Sequence, residues 1–390
     1  MKGRKLLMIP GPIEFEPEVL RVLGAQTTSH VALNFITAFG NCIRNMRKVW
    51  QSNDGQPFIV SGSGTLAMDM AASNLIENGD NALVISTGYF GKRYKDILER
   101  YGANVTILEA LPGNTVTIEK IEEALKNKTY KLLTFTHVDT STGVFVNPKP
   151  IADLAKKYNV LSILDGVCSV AGEEIKQEEW GLDIVLTASQ KAIGVPPGLA
   201  LLVVSLKAMT VWEQRKTLVS NYYCDWQNWL PVMKAYEEGK PSYFGTPPVN
   251  LIFALEKSLE IIVTEGIEER VKRHQNIAAA FRKAITSLGL KLLPINNSIA
   301  ANTLSAIYYP EDVNGGDFCT KMAANDIIVA GGLLPELKTT YFRVGHMGSV
   351  STKDMIATLS AIESVLNTTS FKFKLGDGLK TFQQEVSSVH

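Results

Sequence analysis

The residues best suited to chemistry in this chain fall in five short polar runs, each directly after an apolar stretch. The most unusual is Leu186-Thr-Ala-Ser-Gln-Lys-Ala-Ile-Gly-Val-Pro-Pro-Gly198, where Lys191 stands between one apolar run and a rigid Pro-Pro-Gly turn into another. Most lysines are solvated surface charges. One enclosed by sheet on two sides loses hydration, which lowers its amine pKa and makes it a nucleophile or imine former. Asp165 ends the apolar part of Ile163-Leu-Asp-Gly-Val-Cys168, 26 residues before that lysine. A carboxylate there needs a partner: a cationic nitrogen on a bound heterocycle, a helix to cap, or a salt bridge.

Phe58-Ile-Val-Ser-Gly-Ser-Gly-Thr65 reads as a strand, a glycine-rich turn and a helix start. Such a junction offers unpaired N–H groups and a favourable dipole to an anion, and Ser63 and Thr65 add hydroxyl donors. It lacks the G-x-x-x-x-G-K-[ST] and G-x-G-x-x-G spacings, and by itself reads equally as a tight turn with an N-cap serine. In Ser86-Thr-Gly-Tyr-Phe-Gly-Lys-Arg93, two glycines bracket two aromatics, which suits a stack over a planar ligand or plain buried packing. Thr136-His-Val-Asp-Thr-Ser-Thr-Gly143 gathers Asp139, Ser141 and Thr142 as ligand contacts or as a self-bonded turn, and His137 alone reads as structural. Taken together, a phosphate cradle, an aromatic lid, a strand-tip aspartate and a buried lysine are what pyridoxal 5′-phosphate requires. That cofactor needs phosphate ligands, ring stacking, a carboxylate on its pyridinium nitrogen and an imine-forming amine.

These runs have to be positioned by regular elements. Apolar runs at 58–60, 81–85, 104–108, 132–136, 161–164, 184–186 and 199–204 read as buried strands. Between them, 64–75, 92–101, 118–126 and 150–158 show helical periodicity. Strand and helix in alternation predict an α/β fold with a mostly parallel seven-stranded sheet flanked by helices. Ligands of such sheets sit at the carboxyl ends of the strands, where all five polar runs fall. After residue 205 the texture changes: a polar aromatic segment at 221–229, a turn-rich stretch at 240–248, and a long helix from 250 to about 264. Helices at 267–288, 316–325 and 352–366 then mix with strands near 303–308 and 341–344, predicting a smaller C-terminal α+β domain. The expected division is an N-terminal arm at 1–15, a large domain at 16–262 and a small one at 263–390. The last dozen residues read as a loose tail.

Composition bounds the function. The 390 residues, 45% of them hydrophobic, are ample for a large core without disulfides or a structural metal. The balance of 39 basic and 39 acidic side chains removes the usual reason to expect nucleic acid, and it offers little repulsion against self-association. The four cysteines and five histidines are scattered, so no metal-site spacing is present. Reduced cysteines suit a cytoplasmic location. The start MKGRKLLMIPGP has no apolar run of signal length, and the longest apolar stretch, 198–206, falls far short of a bilayer span, so no export or membrane insertion is expected.

The chain resembles the class V, fold-type I aminotransferases, and within them the alanine–glyoxylate and serine–pyruvate group. Ser-Gly-Ser-Gly, Ser-Thr-Gly-Val (141–144), Ser-Gln-Lys-Ala (189–192) and Pro-Pro-Gly (196–198) fall in that family's order between Pro10-Gly11-Pro12 and Phe342-Arg-Val-Gly345. The resemblance implies that Lys191 forms the internal aldimine and Asp165 pairs with the pyridinium nitrogen, with Val167 on one ring face and Phe90 where relatives commonly stack tryptophan. It implies phosphate ligands Ser63, Gly64, Thr65 and Gln190, with histidine often standing in relatives at the position of Thr65. Ser141 would lie near the phenolic oxygen and Gly11 at the substrate entrance, while Arg343 would clamp the substrate carboxylate. Pro241-Ser-Tyr-Phe-Gly-Thr-Pro247 matches a segment whose Tyr243 and Thr246 reach the neighbouring subunit's phosphate, which implies a homodimer with shared sites. The implied reaction is ping-pong transamination from alanine or serine to glyoxylate or pyruvate. Aminoethylphosphonate transamination and a class V lyase or desulfurase are the rivals. Desulfurase chemistry needs a mobile late cysteine, yet Ala330-Gly-Gly-Leu-Leu-Pro335 has none and Cys319 falls in a predicted helix.

Overall fold

A computed structural model describes residues 5–387. Its centre is a seven-stranded sheet built from the seven predicted apolar runs: β1 (Gln56–Ser61), β2 (Asn81–Ser86), β3 (Asn104–Glu109), β4 (Leu132–Thr136), β5 (Leu161–Asp165), β6 (Ile184–Ala188) and β7 (Leu199–Val204). The spatial order is β1-β7-β6-β5-β4-β2-β3. Every pair is parallel except those of β7, which runs antiparallel to both β1 and β6. The central strands β4 to β7 are buried along their whole length, as a sheet covered on both faces demands, and edge strand β3 is the most exposed.

Helices cover the sheet. The longest in this layer, α1 (Leu33–Trp50), has no counterpart in the sequence reading, although it buries Phe35, Phe39, Cys42, Ile43, Met46 and Trp50 at helical spacing. Two others carry the site: α2 (Gly64–Leu75) follows β1, and α3 (Tyr89–Arg100) follows β2. The polar aromatic segment at 221–229 also turns helical, from Trp226 to Glu237, because Asp225 accepts a capping bond from the Gln227 amide at 2.9 Å. Helix α4 (Val249–Glu265) packs on α1 and leads to α5 (Ile267–Ser287).

A second apolar core lies beyond α4. Strands β8 (Leu304–Tyr308), β9 (Ala330–Gly331) and β10 (Tyr341–Gly345) form an antiparallel sheet in the order β8-β10-β9. Phe281, Ile307, Phe318, Phe342 and Leu359 pack there, with α6 (Thr352–Leu366) on the outside. The N-terminal segment joins both cores. Leu6–Leu7 pairs with Ile327–Ile328, Met8 enters the second core, and the Ile13 amide reaches the Gln190 carbonyl at 3.3 Å.

The expected loose tail is instead a helix, Asp377–Ser387, with Phe382 fully buried against α5. Its start is held by Glu363 of α6, a buried carboxylate that accepts the Leu379 amide at 2.9 Å and the Gly376 amide. A cap supplied from 16 positions away is invisible to local pattern. The last three residues of that tail, and the first four of the arm, lie outside the described residues.

Candidate active site

At the carboxyl ends of the parallel strands a cavity of about 190 Å³ is lined by Gly11, Ser63, Gly64, Thr65, Phe90, Asp165, Val167, Gln190 and Lys191, among others. Nine of the sequence-predicted site residues thus meet at one place. A wider groove of about 480 Å³, bounded by Lys149, Glu178 and Lys207, gathers none of them.

Lys191 lies in the turn after β6 and is 8% exposed. Its Nζ donates to the Pro10 carbonyl. Burial pushes its pKa down, and the Arg343 charge pushes the same way, against the opposing pull of Cys168, Asp165 and Asp139. Gly11 makes room for this side chain. Its φ of +112° suits glycine, and a Cβ there would stand 2.6 Å from Lys191 Cδ.

Asp165 closes β5 and is 2% exposed. It accepts the Val167 amide at 3.1 Å and the Thr136 hydroxyl at 3.4 Å. Burial nevertheless raises its carboxyl to about 7, and the nearby Asp139 charge adds to the rise. Such a group is incomplete without a cationic partner. Across the cavity, a Cβ on Gly64 would lie 2.7 Å from Val167 Cγ2, so glycine there keeps the gap between them open.

The other end of the cavity is built for an anion. Helix α2 begins at Gly64, and Ser63 makes no side-chain capping bond to it, so first-turn N–H groups stay open. Arg93 donates to the Thr65 hydroxyl at 3.0 Å. Gln190 Oε1 is buried without a hydrogen-bond partner among the described residues, and this amide would serve an anion only through its Nε2 donors. Phe90 lies beside them, its amide bonded to Asp139 at 3.1 Å.

Four predicted residues stand apart from the cavity lining. Ser141 is buried in a turn, donating to Asp139 at 2.5 Å and accepting the Tyr89 amide at 3.0 Å, while its neighbour Thr140 reaches the cavity. Arg343, on β10, donates to the Gly331 carbonyl at 2.9 Å and the Thr140 carbonyl at 3.0 Å, which sets it one residue from the lining. Among the described residues it meets no carboxylate at ion-pair distance. Tyr243, 63% exposed, and Thr246, also exposed, do not reach the cavity of their own chain.

Sequence reasoning missed Arg93 and Cys168 as lining residues. Arg93 follows Phe90 by three positions on α3, so helical spacing was the available signal. Cys168 is buried, and burial pushes its thiol pKa up.

The class-V aminotransferase family model matches residues 19–336. An alanine–glyoxylate aminotransferase of Saccharomyces cerevisiae is 36% identical over 361 residues, 89% of this chain and 93% of that protein. A serine–glyoxylate aminotransferase of Arabidopsis thaliana is 27% identical over 97% of this chain and 94% of its own length. The crystal structure of an alanine–glyoxylate aminotransferase from Nostoc sp. superimposes with a TM-score of 0.87 at 30% identity, covering 94% of this chain and 96% of that one.

Proposed function

The chain belongs to the class-V aminotransferases, whose cofactor is pyridoxal 5′-phosphate, and we propose that it moves the amino group of alanine or serine to glyoxylate or pyruvate. The observation that carries this reading is the meeting of buried Lys191 and buried Asp165 at one cavity whose far end is open to an anion. These residues fit the cofactor: an amine whose pKa is lowered by burial, a carboxyl that lacks a cation, and glycines whose Cβ atoms would fill the space. Glyoxylate is the favoured acceptor, because the names of all three similar proteins share it, whereas two name alanine and one names serine as donor.

When bound, the cofactor supplies an aldehyde to carry the amino group and a ring to hold the electron pair released at the substrate Cα. Ser63, Gly64, Thr65 and Gln190 hold its phosphate, and Phe90 and Val167 flank its ring. Asp165 would pair with the ring nitrogen and favour its protonated form. Ser141, oriented by Asp139, would lie near the phenolic oxygen. Lys191 would anchor the cofactor through Nζ, and the same Nζ would take the proton from the substrate Cα, a role that the downward shift of its pKa by burial favours. Arg343 receives the substrate carboxylate in bidentate fashion. Gly11 lines the entrance.

Exposed Tyr243 and Thr246 support a homodimer in which each reaches the partner's phosphate. The two apolar cores support a division into a large domain at 16–262 and a small one at 263–390. Four unpaired cysteines favour the cytoplasm. A desulfurase reading has less support: Cys319 lies within the helix Gly315–Ala324, 3.4 Å from the Tyr309 hydroxyl.

The test is a single-turnover panel. Each amino acid is added to the cofactor-loaded protein and loss of its visible absorbance is followed, then each 2-oxo acid is tried for its return. Bleaching by alanine or serine and recovery with glyoxylate support the reading. A spectrum indifferent to every amino acid refutes it.

A further inference from the structure

Arg93 sits on α3 one turn beyond Phe90, with its guanidinium carbon 4.9 Å from the centre of the Phe90 ring and 5.2 Å from that of Tyr89. Its Nη1 donates to Thr65 Oγ1 at 3.0 Å, and Arg93, Thr65 and Phe90 all line the same cavity. Among the described residues it makes no ion pair, although it is partly buried. A partly desolvated guanidinium without a carboxylate is unfavourable unless an anion shares its space. The Thr65 hydroxyl has a single proton. Because it accepts from Arg93, that proton is left for another acceptor in the cavity.

We propose that Arg93 is a positioning residue for the cofactor's phosphate: it sets Thr65 as a donor toward that dianion and supplies the positive charge that balances it. The proposal rests on the pyridoxal 5′-phosphate reading above and adds a residue to it. The positive end of the α2 macrodipole acts in the same direction. Stacking on Phe90 fixes the guanidinium plane, so a lysine at this position keeps the charge and loses the geometry. The aromatic contact would affect any pyridoxal ring, whereas the charge and the Thr65 bond affect only a phosphorylated one. That difference separates a phosphate role from a general structural one.

The experiment strips the full-length chain of cofactor and titrates it with pyridoxal 5′-phosphate and with pyridoxal, following tryptophan fluorescence and visible absorbance. Arg93→Met is expected to weaken pyridoxal 5′-phosphate by ~10–100-fold, as loss of a charge-assisted bond predicts, and pyridoxal by less than about threefold. Arg93→Lys is expected to fall between Arg93→Met and the unaltered chain, and it carries the test if the methionine variant does not fold. Equal losses for both ligands, or no loss for either, overturn the proposal. If the unaltered chain takes up neither ligand, the cofactor reading fails first and Arg93 falls with it.

Discussion

Gly11, in the N-terminal arm, and Lys191, at the middle of the chain, occupy one space: a Cβ on Gly11 would stand 2.6 Å from Lys191 Cδ and 3.0 Å from its Nζ. The Pro10 carbonyl beside it holds the Lys191 amine. Pro10 and Gly11 therefore form part of the wall of the site.

Gly11→Ala should displace the Lys191 amine while leaving both apolar cores intact. At φ +112° the alanine is strained as well as crowded. A shift of about an ångström at a reacting group is worth up to ~10²-fold in rate. We expect kcat/KM to fall by ~10–100-fold with circular dichroism unchanged. Unaltered turnover would show that the arm moves away from Lys191 in solution.

Lys191→Ala removes both the anchoring amine and the Cα base. Turnover should drop by at least ~10²–10⁴-fold, and the visible band of the bound cofactor should shift because no amine remains to bond with it. A protein that only bound a phosphorylated ligand would keep its affinity through this change. Spectroscopy and a half-reaction assay on the same sample distinguish the two.

Asp165 gives a pH dependence of known sign. Burial raises its carboxyl from 3.8 to about 7, so between those values the unfolded chain has lost a proton that the folded one keeps. Stability contributed by this group is complete below about 4 and is lost as the pH rises through about 7. Burial drives His137 the other way, from 6.5 to about 3, and its contribution is lost as the pH falls through that window. Comparing Asp165→Asn with the unaltered, cofactor-free chain cancels the histidine slope. The variant should gain in relative Tm from pH 4 to pH 8, by several degrees, at the same time as it loses turnover. A Tm difference independent of pH would refute the assignment.

The contrast between what local pattern reveals and what it hides follows from contact range. Asp165 was legible because it ends an apolar run and Lys191 because it follows one closely, and strand tips are the ligand-facing edge of a parallel sheet. The direction of β7 was not read, although the helix-free link 189–198 between β6 and β7 is too short for a parallel crossover. Arg93 was hidden because its partner Thr65 is 28 positions away, and the C-terminal helix because Glu363 caps it from another helix. Helix α1 had a clear periodicity that the sequence reading passed over.

Tyr341 ties the small sheet to the cavity loop. Its buried hydroxyl accepts the amides of Leu333 and Leu334, both at 2.9 Å, and donates to the Ser141 carbonyl. Tyr341→Phe leaves buried backbone groups unpaired, which costs about 1–3 kcal/mol. Because Arg343 lies two positions on and bonds the adjacent Thr140 carbonyl, we also expect a higher KM for substrates bearing a carboxylate. Thermal unfolding and steady-state kinetics check the two parts separately.

Tyr243 and Thr246 provide the sharpest test of shared sites. If each serves the partner's phosphate, a chain with Lys191→Ala and a chain with Tyr243→Phe and Thr246→Ala are both poor alone for different reasons. In a mixed dimer, the site with an intact Lys191 belongs to the second chain and receives Tyr243 and Thr246 from the first. That one site is complete, whereas the other is defective twice over. Unfolding and refolding the two chains together should therefore restore activity that neither recovers by itself. If both sets of residues acted within one chain, every site in the mixture would stay defective and no activity would return.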